Sequence, residues 1–103
     1  MSKLLNADTS GQDPEEFYRS LKEKLEENHN FPEDYHYKFI FPNEHTKLIE
    51  LYQAFDKVKY TISTRESKNA KYLSASITAF VLDANHVVEL YKKVSEIEGV
   101  IML

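Results

Sequence analysis

Cysteine is absent from this chain, which removes disulfide frameworks, thiolate zinc sites, iron–sulfur clusters and cysteine nucleophiles together and fits a reducing compartment. Glycine occurs only at Gly11 and Gly99, so the glycine-rich cradles that hold nucleotide phosphates cannot be assembled. No apolar run approaches the ~20 residues that cross a bilayer, and Met1-Ser2-Lys3-Leu4-Leu5-Asn6 is too short for a signal-peptide core, so a cytoplasmic protein without a membrane segment is expected. Positive charge is outnumbered and unevenly placed. The net charge is −4, and residues 1–34 hold 4 Lys+Arg against 9 Asp+Glu (−5) while residues 35–103 hold 9 against 8 (+1). That balance gives no general attraction to nucleic acid or anionic lipid, so any anion site must be local.

What is present is enough apolar material to fold. At 103 residues the chain accommodates one domain, or a smaller domain with an arm, and 42% hydrophobic residues with 13% aromatics supply a core. Residues 1–12 lack any period and read as a disordered start. Residues 13–30 read as a helical arm: Asp13 caps, Pro14 fits the first turn, Glu16 follows, and Phe17, Leu21 and Leu25 form a narrow stripe. Phe31-Pro32-Glu33-Asp34 interrupts the chain, and residues 31–103 read as the domain proper.

Within that domain, Tyr35, Tyr37, Phe39 and Phe41 alternate with His36, Lys38 and Ile40 as in a half-buried strand. Asn43 is placed to cap a helix carrying Leu48, Ile49, Leu51, Tyr52 and Phe55. Val58–Ser67 alternates again, with Lys59, Thr61, Ser63 and Arg65 on the polar side. After the turn at Ser67–Lys71, Tyr72–Leu82 sets Leu73, Ala75, Ile77, Ala79 and Val81 against Tyr72, Ser74, Ser76, Thr78 and Phe80. Asp83 starts a last helix bearing Val87, Leu90, Tyr91, Val94 and Ile97, Gly99 stops it, and Val100–Leu103 is a short strand. The order after the arm is β-α-β-β-α-β, which predicts an α+β ferredoxin-like sandwich: a four-stranded antiparallel sheet with two helices on one face and the other face open. The arm's stripe is expected to cover that open face, or the same face of a second copy.

Two stretches carry a resemblance. Phe31-Pro32 precedes Tyr37-Lys38-Phe39, and the hairpin Arg65-Glu66-Ser67-Lys68-Asn69-Ala70-Lys71-Tyr72-Leu73-Ser74-Ala75-Ser76-Ile77-Thr78 is similar to the pattern Arg/Lys-x-Ser-x-x-Gly-x-Tyr-x-Ser-x-Ser/Thr. Over residues 31–103 the chain thus resembles the YbeD-like family of bacterial proteins of unknown function, whose fold is similar to the ACT regulatory domain. Ala70 stands where that family often has glycine, which leaves the turn geometry open. The resemblance implies a small cytoplasmic protein with no established enzymatic activity, and its ACT-like shape implies regulation by a ligand or partner. Amino-acid-binding ACT domains usually place glycine in the loop after the first strand, where this chain has Phe41-Pro42-Asn43-Glu44-His45.

The polar row His36, Lys38, Lys59, Thr61, Ser63, Arg65, Ser74, Ser76 and Thr78, with Lys68 and Lys71 at the hairpin, is either a solvated sheet face or a surface for an anion or acidic segment. The candidate binding residues are Arg65, Ser67, Lys68, Lys71, Tyr72, Ser74 and Ser76: cations as anchors, serines as hydrogen-bonding groups, Tyr72 as a ring platform. The expected partner is a protein or a small ligand. Single-stranded RNA is the alternative, because bases stack on aromatics of the central strands in this topology, but Tyr72 alone fits that signature. No enzymatic activity and no cofactor are expected, since no nucleophile motif is present. His45 with Glu44 and His86 with Asp83 form a cation site only if both helix starts reach one sheet edge, and no His pair at four-residue spacing or third ligand supports it. His29 is read as meeting a helix dipole. The short final strand lies at an edge, which allows a side-by-side homodimer.

Overall fold

Residues 13–103 are described by a computed structural model, and the segment read as a disordered start lies outside them. The elements are α1 (Pro14–Asn28), β1 (Glu33–Pro42), α2 (His45–Ala54), β2 (Tyr60–Glu66), β3 (Tyr72–Val81), α3 (Ala84–Ser95) and β4 (Ile101–Met102). They make an α+β fold with one four-stranded sheet in the order β2-β3-β1-β4, every neighbouring pair antiparallel.

Alternation in β1 and β3 divides the sheet as the period of two requires. Tyr37, Phe39, Phe41, Leu73, Ala75, Ile77, Ala79 and Val81 are buried, while His36, Lys38, Ser76 and Phe80 are exposed. On the buried side, Leu51 of α2, Phe55 just beyond it, and Val87, Leu90, Tyr91 and Val94 of α3 join the strand residues in one core. The Tyr37 ring meets both Phe55 and Tyr91, at 5.4 and 4.8 Å between centroids, so α2 and α3 share a face. Each fully buried large side chain contributes about 1.5–3 kcal/mol, and this apolar layer holds the sheet flat against the helices.

Polar groups inside the layer are paired. The Tyr37 hydroxyl donates to the Val87 carbonyl at 3.1 Å, and the Tyr35 and Tyr91 hydroxyls lie 3.2 Å apart. Burial pushes the Tyr37 and Tyr91 hydroxyls far above the ordinary tyrosine pKa, with the neighbouring Tyr35 adding to the shift in each.

Helix α1 departs from the expectation that it covers the open face. Leu25 is 4% exposed within the common core, Tyr18 and Leu21 pack against that core, and α1 contacts α3. Lys92 of α3 sits 5.0 Å from the Tyr18 ring centroid. The stripe therefore extends the helical layer, where apolar side chains await it, instead of meeting the polar row of the sheet. His29 does more than face a dipole: it follows α1, its Nδ1 lies 2.6 Å from Glu33 Oε2, and its ring packs on Phe31 and Tyr35.

Helix starts are capped unequally. The Asp13 carboxylate accepts from the Glu15 amide at 3.4 Å, and Asp83 accepts from the His86 amide at 2.8 Å. His86 Nδ1 in turn accepts from the Leu82 amide at 3.1 Å, so this histidine closes a reciprocal cap. Asn43 does not cap α2; Glu44 takes that position without a side-chain bond, and Asn43 instead reaches the hairpin. Because β1 and β3 run antiparallel, with Pro42 opposite Tyr72 and Glu33 opposite Val81, α2 and α3 begin at opposite ends of the sheet. His45 with Glu44 and His86 with Asp83 are thus separated by the length of β1, and the single-edge arrangement a shared cation site needs is not made. Among the described residues no three His, Asp or Glu side chains gather. None of the described helices is long and apolar enough to cross a membrane.

Candidate functional site

The face not covered by the described helices is an ordered array of side chains. Following the register across the strands, Arg65, Ser74, Ile40 and Ile101 form one row, Ser63, Ser76 and Lys38 the next, and Thr61, Thr78 and His36 the third. Phe80 and Asp34 are paired in a fourth row, which Lys59 joins through its carbonyl, the acceptor for the Phe80 amide at 2.9 Å. Parity alone places these side chains together, because each strand sends every second residue to this side.

The β2–β3 hairpin is held by its own side chains. The Ser67 hydroxyl donates to Asn69 Oδ1 at 3.1 Å and accepts from the Tyr72 amide at 3.0 Å, and Asn69 Oδ1 also accepts from the Lys71 amide at 3.2 Å. Asn43 clips the turn from outside: its Nδ2 donates to the Ala70 carbonyl at 3.0 Å and to Glu66 Oε2 at 3.2 Å, and its amide donates to the Lys71 carbonyl at 2.9 Å. Ala70 sits at φ +60°, the left-handed geometry that glycine adopts freely, so the alanine keeps the turn at the cost of steric strain. Ala70→Gly is expected to raise stability by about 0.5–1 kcal/mol, the strain relief of ~1–2 kcal/mol less the added freedom of the unfolded glycine chain. Urea unfolding checks this; a midpoint below that of the parent contradicts it.

Beside this turn lies an open concavity of about 530 Å³ lined by Lys38, Ile40, Arg65, Glu66, Ser67, Lys68, Tyr72 and Ser74. Of the residues singled out in the sequence, Arg65, Ser67, Lys68, Tyr72 and Ser74 come together here, while Lys71 and Ser76 lie outside the lining. Their capacities differ. Arg65, Lys68, Lys71 and Lys38 have no ion-pair partner among the described residues, and Tyr72 is 47% exposed. Ser67, in contrast, is engaged by the turn, and the Ser74 hydroxyl donates to the Arg65 carbonyl at 3.4 Å. Glu66, Lys38 and Ile40 complete the lining; Lys38 and Ile40 come from β1, which parity showed to face this side, but only the register places them beside the hairpin.

A second concavity of about 560 Å³, lined by Asp34, Lys59, Tyr60, Thr61, Thr78 and Phe80, opens at the far end of the same face. Sequence reading did not anticipate it, although the apolar Phe80 in a polar row was its signal. Chemically the face offers binding groups more than reactive ones. His36 Nδ1 is 3.0 Å from Thr78 Oγ1, yet no carboxylate bonds the ring from its other side among the described residues. Tyr72 and Phe80, the exposed rings of β3, are eight positions apart, roughly 27 Å along a strand, so they do not form a joint stacking platform.

Residues 26–103 match the model of a family described as "Protein of unknown function (DUF493)". No curated protein and no solved structure matches the chain. With its sheet, both helices packed on it and the hairpin inside the matched span, the chain belongs to the DUF493 family of proteins of unknown function.

Proposed function

We propose that this protein is a non-enzymatic regulatory or interaction module of the cytoplasm that binds a partner protein or small ligand through its hairpin and open sheet face. The fold reading that goes with it is ferredoxin-like and akin to YbeD and ACT domains, supported by the succession β-α-β-β-α-β after α1 with β1 and β3 in the centre. One observation carries the functional reading: Arg65, Lys68 and Lys38 surround an open concavity, without ion-pair partners among the described residues, next to the half-exposed Tyr72 ring. In a chain of net charge −4 these cations stand out as a local anchor for acidic groups.

Affinity capture from the native cell tests it, comparing the parent chain with an Arg65→Ala, Lys68→Ala, Lys71→Ala variant. The parent is expected to retain a protein or a metabolite that the variant loses, with both chains melting alike. An identical retained set in the two overturns the reading.

A further inference from the structure

We infer that the free edge of β2 receives an extended acidic peptide segment as an added strand; the assignment rests on the reading above and names its occupant. Among the described residues strand β2 pairs only with β3, in an unbroken register from Tyr60 opposite Ala79 to Glu66 opposite Leu73. The Phe80 amide bonds the Lys59 carbonyl and the Ser67 amide bonds the Tyr72 carbonyl, so odd-numbered residues of this stretch turn their backbone groups toward β3. Tyr60, Ile62, Thr64 and Glu66 therefore present N–H and C=O groups outward along a seven-residue strand. Such an edge is a template for another strand.

Its middle is unguarded. Thr61–Thr64 contains no charge and no proline, and the register shows no bulge, the features that blunt a natural edge, while Arg65 and Glu66 put exposed charge at one end alone. The other edge, β4, is two residues long and offers little to pair with.

Side chains on the two sides define the occupant. Lys59, just before β2, and Arg65, near its far end, stand on the open face, six residues apart and therefore of the same parity. Both lack ion-pair partners among the described residues. On the helical side Tyr60 and Ile62 are half-buried against the core, so apolar residues of an added strand would extend that core. A strand complementary to both sides carries acids at positions one and seven on one face and aliphatic residues between them on the other.

The probe is the peptide acetyl-Asp-Val-Thr-Val-Thr-Val-Asp-amide, titrated into the full chain by calorimetry. In antiparallel addition its valine amides face β2 and its threonine amides face water. Methylating the valine nitrogens is expected to weaken binding at least about tenfold and methylating the threonine nitrogens to leave it unchanged, because only the first set removes inter-strand hydrogen bonds. Thr64→Pro removes an outward N–H without touching the ladder to β3, and Lys59→Glu with Arg65→Glu reverses the charge; each is expected to lower affinity about tenfold or more. Melting curves establish that each variant is folded, and the methylated peptides test the edge on the unaltered chain.

Absence of binding, equal loss from both methylation patterns, or displacement of the peptide by a single-stranded oligonucleotide but by no acidic peptide overturns the assignment. The two levels separate cleanly. If the Arg65, Lys68, Lys71 variant loses its captured partner while Thr64→Pro keeps it, strand addition fails and the reading of the face stands. If neither variant loses anything, both fall.

Discussion

Raising the pH from 9 to 12 is expected to strip about 5 kcal/mol from the stability of this protein, most of it through two tyrosines. Tyr37 and Tyr91 are each 2% exposed, and burial holds their hydroxyls protonated in the folded state far beyond the ordinary tyrosine pKa of 10.0. In the unfolded chain both ionise near that ordinary value. Above it the unfolded state binds fewer protons than the native state, so stability falls with pH by about 1.4 kcal/mol per unit for each residue. Their contribution is fully present below pH ~10 and is lost progressively above it, because the folded values lie too high to end the decline in an accessible range. Urea unfolding at pH 9, 11 and 12 measures the slope. Tyr91→Phe should remove about half of this tyrosine term. A slope unaffected by Tyr37→Phe and Tyr91→Phe together would show that these hydroxyls are not the source.

Gly99→Ala is expected to cost about 2–5 kcal/mol, the sum of ~1–2 for a left-handed alanine and ~1–3 for steric overlap. Gly99 has φ +84°, and a Cβ there would lie 2.9 Å from both Cδ and Cγ of Pro42. The register explains the approach: Phe39 opposes Met102 and Ile40 opposes Ile101, so two steps further Gly99 falls across from Pro42, whose rigid ring cannot swing aside. Relief would require β4 to draw away from β1. For a domain of this size the change lowers the melting temperature by roughly 10–25 °C. A melting temperature within a few degrees of the parent contradicts this account of the β1–β4 junction.

These effects also mark what the amino-acid pattern could convey. Strict alternation in Tyr35–Phe41 and Tyr72–Val81 exposed the two sides of the sheet, because a period of two leaves each side chain only one of two destinations. Asp13 and Asp83 were legible as caps since that role needs only a short carboxylate at the right place. The partner of α1 was not. Phe17, Leu21 and Leu25 declare that a surface must cover them, but a stripe does not say which, and the choice of α3 depends on the apolar edge which that helix leaves beside the core. Asn43 was equally ambiguous, since an asparagine before a helix can cap it or bond any turn within reach, and here the hairpin lies closer. Of the candidate binding residues, Arg65, Lys68 and Tyr72 were recognisable as an exposed cationic and aromatic group. The part of Ser67 in the turn, and the second concavity of Asp34, Lys59 and Phe80, depend on contacts between strands that no single segment encodes.

The most direct measurement sets one face against the other at equal charge. Arg65→Ala, Lys68→Ala, Lys71→Ala alters the sheet side, and Lys24→Ala, Lys57→Ala, Lys93→Ala removes three exposed cations from or beside the three helices. Quantitative capture of retained protein and metabolite by the parent and both variants should show loss only with the sheet-side set. Equal loss in both, or loss confined to the helix-side set, would contradict the assignment of recognition to the open face.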